Sequence, residues 1–231
     1  MTRVGVLECD HVRPDLLSIA GDYVDMFRAL LPSCDIVGYD VRAGALPAAP
    51  DECDGWICTG SQRSVYDSDG WIDAMSGFVR DVRDRRVPFV GICFGHQLIA
   101  HALGGRVERA ESGWGVGTLQ ASVTRSAAWM VPGQDSYALL YSHQDQVVAM
   151  PMGGRVLASA DHAPVAMLVV GDTMLGIQGH PEFGAPYLEA LLADRIDRIG
   201  AERLNEALES LAESRDDALV ARWIANFLGV S

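Results

Sequence analysis

The sequence predicts an α/β fold: a doubly wound, mostly parallel central sheet with helices on both faces and a small antiparallel extension. Over residues 3–103, short apolar runs alternate with amphipathic stretches, as in repeated strand-helix-strand units. One apolar run ends in Gly91-Ile92-Cys93-Phe94-Gly95, a spacing that favours a sharp strand-to-helix turn. Helical periodicity largely disappears over residues 115–177. We expect residues 1–231 to form one domain.

The first half of the chain supplies the predicted parallel sheet. Its strands are short and apolar, and its helices carry apolar stripes at helical spacing. The predicted strands are Arg3–Glu8, Cys34–Tyr39, Gly55–Cys58 and Val87–Ile92, and the predicted helices are Leu17–Leu30, Trp71–Arg86 and Phe94–Leu103. Sites in such sheets gather at the carboxyl ends of the strands.

The second half predicts the antiparallel extension, a further buried strand and closing helices. The extension, which we expect to cover the pocket, contains Thr118–Thr124, Ala138–Ser142, Val156–Ala160 and Val165–Val170. A short buried strand over Met174–Gly179 follows. The closing helices are predicted over Tyr187–Ile199, Ala201–Glu213 and Asp217–Leu228.

Charge and composition exclude several functional classes. A formal charge of −13 and a pI near 4.7 argue against nucleic-acid or anionic-membrane partners. The sequence contains no lysine, which excludes a lysine Schiff base and a P-loop lysine. We predict neither a cofactor nor a metal.

The cysteines indicate a reducing compartment. They number five and show no paired spacing such as Cys-x-x-Cys, so a disulfide or zinc framework is not indicated. The chain begins at once as a strand, and no apolar run is long enough to span a bilayer. We therefore expect a soluble, cytoplasmic protein.

Cys93 is the candidate nucleophile. Glycines two residues before and two residues after it allow a nucleophile elbow, in which the reactive atom is lifted out on strained backbone. The helix predicted to follow puts the thiol at a helix N-terminus, where free N–H groups and the dipole favour thiolate. The same N–H groups can hold a developing oxyanion.

The candidate base is His180, at the end of the last predicted strand. Glu182 lies two residues later, on the same side of extended backbone, so its carboxylate can orient the imidazole toward the thiol. Cys93, His180 and Glu182 thus form a predicted catalytic triad. A zinc site made of the same three residues is an alternative, although no fourth ligand at a suggestive spacing supports it.

These motifs resemble those of class I, triad-type glutamine amidotransferases. The resemblance rests on Gly-Ile-Cys-Phe-Gly-His-Gln, on Gly-His-Pro-Glu, on Thr59-Gly60-Ser61, on Ser64-Val65-Tyr66-Asp67 and on Tyr141-Ser142-His143-Gln144-Asp145, and it covers nearly the whole chain. It implies a flavodoxin-like fold and attack of the cysteine on a glutamine side-chain amide. Ammonia then leaves, and water hydrolyses the glutamyl thioester.

The resemblance also implies roles for pocket residues. Gly60 and Ser61 match the oxyanion loop, and the backbone N–H of Phe94 is the second donor. Gln97 matches the glutamine that shapes the substrate pocket. The residues that match the segment holding the amino and carboxylate ends of the substrate are Ser142, Gln144 and Asp145.

Two departures from the synthetase-coupled members favour stand-alone relatives. The oxyanion loop reads Gly60-Ser61-Gln62 instead of a Gly-Gly-Pro or Gly-Pro-Gly type, and Gly179 replaces an aromatic residue before His-Pro-Glu. The sequence is more similar to the amidotransferase domain of GMP synthetase and to γ-glutamyl peptidases. The substrate is then glutamine or a larger γ-glutamyl compound.

Three functions stay open at this point. The first is a cysteine amidohydrolase of γ-glutamyl amides, either a glutaminase or a γ-glutamyl peptidase. The second is a glutaminase subunit, inactive alone, that supplies ammonia to a separate synthetase. The third is an α/β-hydrolase with cysteine for serine, which the order of histidine before acid disfavours. His143 is a pocket or a structural histidine, and Trp114, between two glycines, suits a pocket lip.

Overall fold

The computed structural model describes residues 1–230 and contains eleven strands and eight helices over that range. The strands are β1 (Arg3–Glu8), β2 (Asp35–Asp40), β3 (Gly55–Cys58), β4 (Phe89–Ile92), β5 (Arg106–Arg109), β6 (Gly115–Val123), β7 (Ser136–His143), β8 (Asp145–Ala149), β9 (Gly154–Ala160), β10 (Ala163–Val170) and β11 (Met174–Ile177). The helices are α1 (Leu17–Ala20), α2 (Tyr23–Leu30), α3 (Gly70–Arg85), α4 (Phe94–Ala102), α5 (Ala185–Ala193), α6 (Ile196–Ile199), α7 (Ala201–Ser210) and α8 (Asp217–Phe227).

Nine of these strands form one mixed sheet in the order β2-β1-β3-β4-β11-β10-β9-β6-β7. The first five in this order pair in parallel, and the remaining pairs are antiparallel. The predicted fold class is therefore confirmed, and the antiparallel extension continues the central sheet. Strands β5 and β8, which the sequence analysis did not predict, form a separate two-stranded sheet.

Strand alternation builds a hydrophobic core on each face of the parallel half. Val4 and Val6 of β1 belong to one core cluster, which also contains the fully buried Trp223 of α8. Leu7 of the same strand belongs to the other cluster, together with Met75 of α3. Successive side chains on a strand point to opposite faces, so helices cover both sides of the sheet, as predicted.

The helix predicted over Leu17–Leu30 is two helices. Gly21 has a φ of +75°, which ends α1, and Asp22 then caps α2. The Asp22 side chain accepts the Tyr23 backbone N–H at 2.9 Å, and Asp25 accepts the backbone N–H of Asp22 in return. Apolar residues recur at helical spacing on both sides of Asp22, so their pattern predicted one helix. The capping box at Asp22 begins a new helix instead.

The helix predicted over Tyr187–Ile199 is also divided. Helix α5 ends at Ala193, and a short helix α6 begins at Ile196. The break lies at Arg195, whose guanidinium donates to Ser142 Oγ at 2.8 Å. The boundary between α5 and α6 thus coincides with a hydrogen bond to a distant strand. The spacing of apolar residues in the helix does not show this boundary. Within residues 1–230 the structure contains no helix long and apolar enough to cross a membrane.

Candidate active site

Cys93 lies at a strained turn between β4 and α4. Its backbone has a φ of +52° and a ψ of −98°, a region that residues other than glycine rarely adopt. A Cβ atom on Gly91 would lie 2.2 Å from the Gly95 carbonyl oxygen, and one on Gly95 would lie 2.5 Å from the Cys58 carbonyl oxygen. The turn therefore requires both glycines, and it has the form of the predicted nucleophile elbow.

The elbow puts the thiol at the start of a nine-residue helix. Cys93 is the N-cap of α4, and its carbonyl oxygen accepts the Gln97 N–H at 3.1 Å. The N–H groups of the first turn precede this bond and have no partner within the helix. The Cys93 side chain lines a pocket in which a thiolate would be stabilised by these groups.

His180 follows β11 and is held through both backbone and side chain. Its N–H donates to the Leu140 carbonyl oxygen at 2.8 Å. Its Nδ1 donates to Glu182 Oε1, also at 2.8 Å, because an ionised carboxylate only accepts hydrogen bonds. This geometry agrees with the predicted role of Glu182 as the group that orients the imidazole.

The charge state of His180 depends on its neighbours. Burial alone would lower its pKa, but the negative charges of Glu182 and of the Cys93 thiolate outweigh burial and raise the pKa to about 10. Hydrogen bonding to both residues acts in the same direction. His180 is therefore an imidazolium at neutral pH.

An aromatic cluster that the sequence analysis missed supports the imidazole. Phe183 stacks on the His180 ring with centroids 3.9 Å apart and planes 7° from parallel. Tyr187 and Tyr23 pack against Phe183 at 4.7 Å and 6.3 Å between centroids. The signal in the sequence was the aromatic residue that directly follows His-Pro-Glu. The stack leaves the ring little freedom to rotate.

The proposed oxyanion loop closes over the nucleophile and the base. A Cβ atom on Gly60 would lie 3.0 Å from His180 Cε1 and 3.8 Å from Cys93 Cβ. The Gln62 N–H donates to Asp10 Oδ2 at 3.0 Å, and Thr59 Oγ1 donates to the Gly60 carbonyl oxygen at 3.0 Å. Asp10, which the sequence analysis did not single out, thus anchors the far end of this loop.

One pocket brings together eight of the ten predicted site residues. The other two, Phe94 and Glu182, are buried and do not line the pocket; Phe94 was predicted to act through its backbone N–H. The predicted residues that line the pocket are Gly60, Ser61, Cys93, Gln97, Ser142, Gln144, Asp145 and His180. His143 and Trp114 line it as well.

The buried Gln97 and His143 bind protein groups. Gln97 Nε2 donates to the Asp145 carbonyl oxygen at 2.8 Å and to Gln178 Oε1 at 3.2 Å. His143 Nδ1 donates to the same Asp145 carbonyl oxygen at 2.9 Å. Burial lowers the pKa of His143 to about 3, so this histidine is neutral and its proton is on Nδ1. Both side chains hold the backbone of Asp145.

Ser142, predicted to bind substrate, is bonded to Arg195 through its hydroxyl oxygen. Arg195 and Arg198 both lie over the Trp114 ring, with guanidinium carbons 5.7 Å and 5.1 Å from the ring centroid. Sequence reasoning missed both arginines, because they lie in a stretch that reads as a plain amphipathic helix. Trp114 lines the pocket and is buried; its role as a pocket lip stays a prediction.

The pocket differs in charge from the rest of the chain. Arg63, Arg195 and Arg198 line it, and Asp145 is the one carboxylate among the lining residues within the described range. The formal charge of the whole chain is −13. The pocket is thus a local concentration of positive charge that would attract an anionic ligand.

Among residues 1–230, one group has potential metal-ligand atoms close together: Glu8, His11 and Asp22. None of the three lines the pocket. His11 already donates to Asp22 Oδ2 at 2.9 Å and lies 3.0 Å from Asp40 Oδ2. Cys93, His180 and Glu182 do not form such a group in that range, so the geometry gives no support to the zinc alternative.

The chain is similar to known proteins in sequence and in fold. The sequence model of the family described as glutamine amidotransferase class-I matches residues 17–195. Gamma-glutamyl peptidase 5 of Arabidopsis thaliana is 34% identical over 163 residues, which cover 68% of this chain and 62% of that protein. The chain thus spans less than two thirds of that relative's length.

Two further comparisons cover more of the matched protein. A glutamine-hydrolyzing GMP synthase subunit from Halobacterium salinarum is 32% identical over 169 residues, which cover 70% of this chain and 84% of that protein. A crystal structure of a glutamine amidotransferase from Thermotoga maritima matches with a TM-score of 0.76 at 19% identity, over 98% of this chain and 96% of that one. The chain belongs to the class-I glutamine amidotransferase family.

Proposed function

We propose that this chain is a cysteine-dependent hydrolase of γ-glutamyl amides that acts through a glutamyl thioester. The observation that carries the proposal is the arrangement around Cys93: a thiol on a strained elbow at a helix N-terminus, beside His180, whose other ring nitrogen is bound to Glu182 at 2.8 Å. This is the nucleophile, base and orienting group of an acyl-transfer triad.

In the proposed acylation, the proton of the thiol has already passed to Nε2 of His180, and the sulfur adds to the γ-carbonyl carbon. The carbonyl π electrons move to oxygen, and the resulting oxyanion is held by the N–H of Phe94 and by the loop at Gly60 and Ser61. The carbon–nitrogen bond then breaks. The imidazolium gives its proton to the departing nitrogen, which leaves as ammonia or an amine.

In the proposed deacylation, water enters the position that the amine has left. His180 removes a proton from this water as its oxygen adds to the thioester carbon. The carbon–sulfur bond breaks and the thiolate is restored beside the imidazolium. The products are a free γ-carboxyl group and the resting enzyme.

We further propose that a γ-glutamyl peptide fits this pocket better than glutamine does. Three arginines line the pocket together with Cys93, whereas the amide nitrogen of glutamine carries no further group that could pair with them. A leaving group that ends in a carboxylate would pair with Arg195 or Arg198. The similarity to gamma-glutamyl peptidase 5 supports this substrate class.

The second candidate is a glutaminase subunit that supplies ammonia to a separate synthetase. The observation in its favour is the similarity to the glutamine-hydrolyzing GMP synthase subunit of Halobacterium salinarum. This candidate predicts that the isolated chain has low activity until its partner is added. Both candidates use the same triad and differ in the leaving group and in the need for a partner.

The test compares substrates with the purified chain alone. Glutamine, glutathione and γ-glutamyl-p-nitroanilide are offered to the wild type and to Cys93→Ser, and mass spectrometry detects a glutamyl adduct on the Cys93 peptide. We expect glutathione to be hydrolysed faster than glutamine, and both activities to be lost in Cys93→Ser.

The contrary outcomes discriminate between the alternatives. Hydrolysis of glutamine alone, at a low rate, would favour the synthetase-coupled glutaminase. Turnover that survives in Cys93→Ser would refute the thioester mechanism. The cytoplasmic location stays a prediction.

A further inference from the structure

The carboxylate of Asp145 is bonded to one segment of the chain through two hydroxyl groups. Ser64 Oγ donates to Oδ2, and Tyr66 OH donates to Oδ1 at 3.0 Å. Both donors lie on the connection between β3 and α3, a few residues after the proposed oxyanion loop at Gly60 and Ser61. Asp145 therefore joins the start of β8 to the oxyanion segment.

The donor segment is a defined turn. The Ser64 N–H donates to Asp67 Oδ2 at 3.0 Å, and the Asp67 N–H donates to the Ser64 carbonyl oxygen at 3.0 Å. This turn holds the side chains of residues 64 and 66 in place to reach the same carboxylate. At the other end of the segment, Asp10 holds the Gln62 N–H. Residues 60–67 are thus attached at both ends.

The backbone of Asp145 is held independently of its carboxylate. Its carbonyl oxygen accepts from Gln97 Nε2 and from His143 Nδ1. Gln97 belongs to α4, the helix that begins at the nucleophile. Asp145, at the start of β8, is consequently bonded both to the nucleophile helix and to the oxyanion segment.

We propose that Ser64 and Tyr66 are positioning residues that couple recognition of the substrate's ammonium group to formation of the oxyanion hole. The inference rests on the function proposed above and on the match of Asp145 to the segment that holds the amino and carboxylate ends of the substrate, and it takes the Asp145 carboxylate as the partner of the substrate's ammonium group. An ionised carboxylate has about four lone-pair sites, and two hydroxyl donors leave the others for an ammonium. The hydroxyls aim the carboxylate, and the carboxylate in turn holds the oxyanion segment.

This coupling makes a prediction that simple substrate binding does not make. Without the two hydroxyls, the Asp145 carboxylate can still attract an ammonium, but the segment that contains Gly60 and Ser61 loses its bonds to Asp145 and keeps the bond of Gln62 to Asp10. Removal of the two hydroxyls should therefore slow the chemical step as well as weaken binding of the substrate. We expect kcat to fall about tenfold or more when both hydroxyls are removed, because each bond joins a hydroxyl to a charged acceptor.

The test uses two reagents that modify Cys93 in different ways. Iodoacetamide needs only a thiolate. The diazoketone analogue of glutamine, 6-diazo-5-oxo-L-norleucine, must first be recognised; its diazo carbon then takes a proton, the sulfur displaces dinitrogen, and a thioether forms. The ratio of the two inactivation rates therefore reports recognition and oxyanion geometry separately from thiol reactivity.

The variants are Ser64→Ala, Tyr66→Phe and the double variant, with Tyr39→Phe as the matched control. Tyr39 also donates to a carboxylate, that of Glu52 at 2.7 Å, but it does not line the pocket. Tyr66 is 49% exposed, so the loss of its hydroxyl leaves little packing to repair. Amide hydrogen exchange over residues 60–67 measures the attachment of the segment directly.

We expect the double variant to lose diazoketone labelling about tenfold or more, to keep its iodoacetamide rate and to exchange amides faster over residues 60–67. Labelling and exchange equal to those of the wild type would overturn the inference and leave the proposed function intact. A rise in KM with unchanged kcat would also overturn it. A wild type that resists the diazoketone but reacts with iodoacetamide would overturn the proposed function, and the inference with it.

Discussion

The parallel and antiparallel halves of the sheet contribute to the pocket in different ways. From the parallel half come Cys93, the Gly60 loop and His180, each placed by the carboxyl end of a buried strand. From the antiparallel half comes Ser142, whose hydroxyl oxygen accepts from the Arg195 side chain, and from β8 of the separate two-stranded sheet comes Asp145, whose carbonyl oxygen accepts from the Gln97 side chain. The residues of the proposed chemistry are thus positioned by packed backbone. The residues of the proposed selectivity are positioned by side-chain contacts at the rim of the pocket.

This difference explains where change should be tolerated. The elbow leaves no room for a Cβ atom at Gly91 or Gly95, so its geometry is set by backbone packing. The arginine rim is set by a few side chains that are half-buried or exposed. Substitutions in the parallel half should abolish turnover, and those at the rim should change the substrate.

The largest expected effect is that of Glu182→Gln. The variant keeps the shape of the side chain but removes its charge, so kcat should fall by about 10³ to 10⁴. Loss of a nearby anion also lowers the pKa of His180, which stands at about 10, so the alkaline limb of the kcat profile should move to lower pH. A pH series from 6 to about 10.5 measures both effects. An alkaline limb that stays in place would show that Glu182 does not set the charge of His180.

Gly95→Ala should have the next largest effect. The added methyl group would lie 2.5 Å from the Cys58 carbonyl oxygen. This oxygen belongs to the backbone, so it cannot turn away as the end of a flexible side chain could. We expect the free energy of unfolding to fall by about 1–3 kcal/mol, with loss of activity as the elbow shifts. Urea denaturation compares it with Gly77→Ala, on the neighbouring helix α3, where an added Cβ meets only the end of Arg80 at 4.0 Å. Equal stability of both variants would contradict the packing account.

Acid stability tests both halves at once, because each contains a buried neutral histidine. Burial lowers the pKa of His96 to about 4 and that of His143 to about 3. The unfolded chain takes up protons near pH 6.5, whereas the folded chain does not, so stability is full above pH 6.5 and falls as the pH decreases toward 4. We expect about 1.4 kcal/mol per pH unit for each histidine.

Urea denaturation at pH 7 and pH 5 measures this slope. His96→Met should remove about half of the histidine contribution, and the exposed His101→Gln on the same helix should leave the slope unchanged. If His101→Gln changed the slope as much as His96→Met does, the assignment of the slope to buried histidines would be contradicted.

The smallest expected effect is at the rim. Arg195→Gln removes a charge that a leaving-group carboxylate would meet, so KM for glutathione should rise about tenfold while KM for glutamine stays nearly the same. Arg28→Gln, on the exposed face of α2, is the matched loss of one positive charge. Equal changes with both substrates would remove Arg195 from the proposed selectivity and weaken the contrast between the two halves.

The same contrast explains what could be predicted from sequence. The elbow and the His-Pro-Glu segment are local patterns, so the residues of the parallel half were found from spacing. Arg195 was not found, because its position depends on a helix break and on a hydrogen bond to Ser142, 53 residues earlier in the chain. The capping box at Asp22 divided a helix for the same kind of reason: a local polar exchange outweighed the apolar periodicity.

The stack of Phe183 on His180 has a consequence for the order of events in the proposed mechanism. Phe183 packs against the face of the ring and Glu182 binds Nδ1. Nε2 is therefore the ring nitrogen that can exchange protons with the substrate and with water. A single nitrogen cannot serve a departing amine and an arriving water at the same moment. The amine must therefore clear the pocket before water is activated, and the enzyme should show ping-pong kinetics, with a nucleophilic amine able to intercept the thioester in place of water.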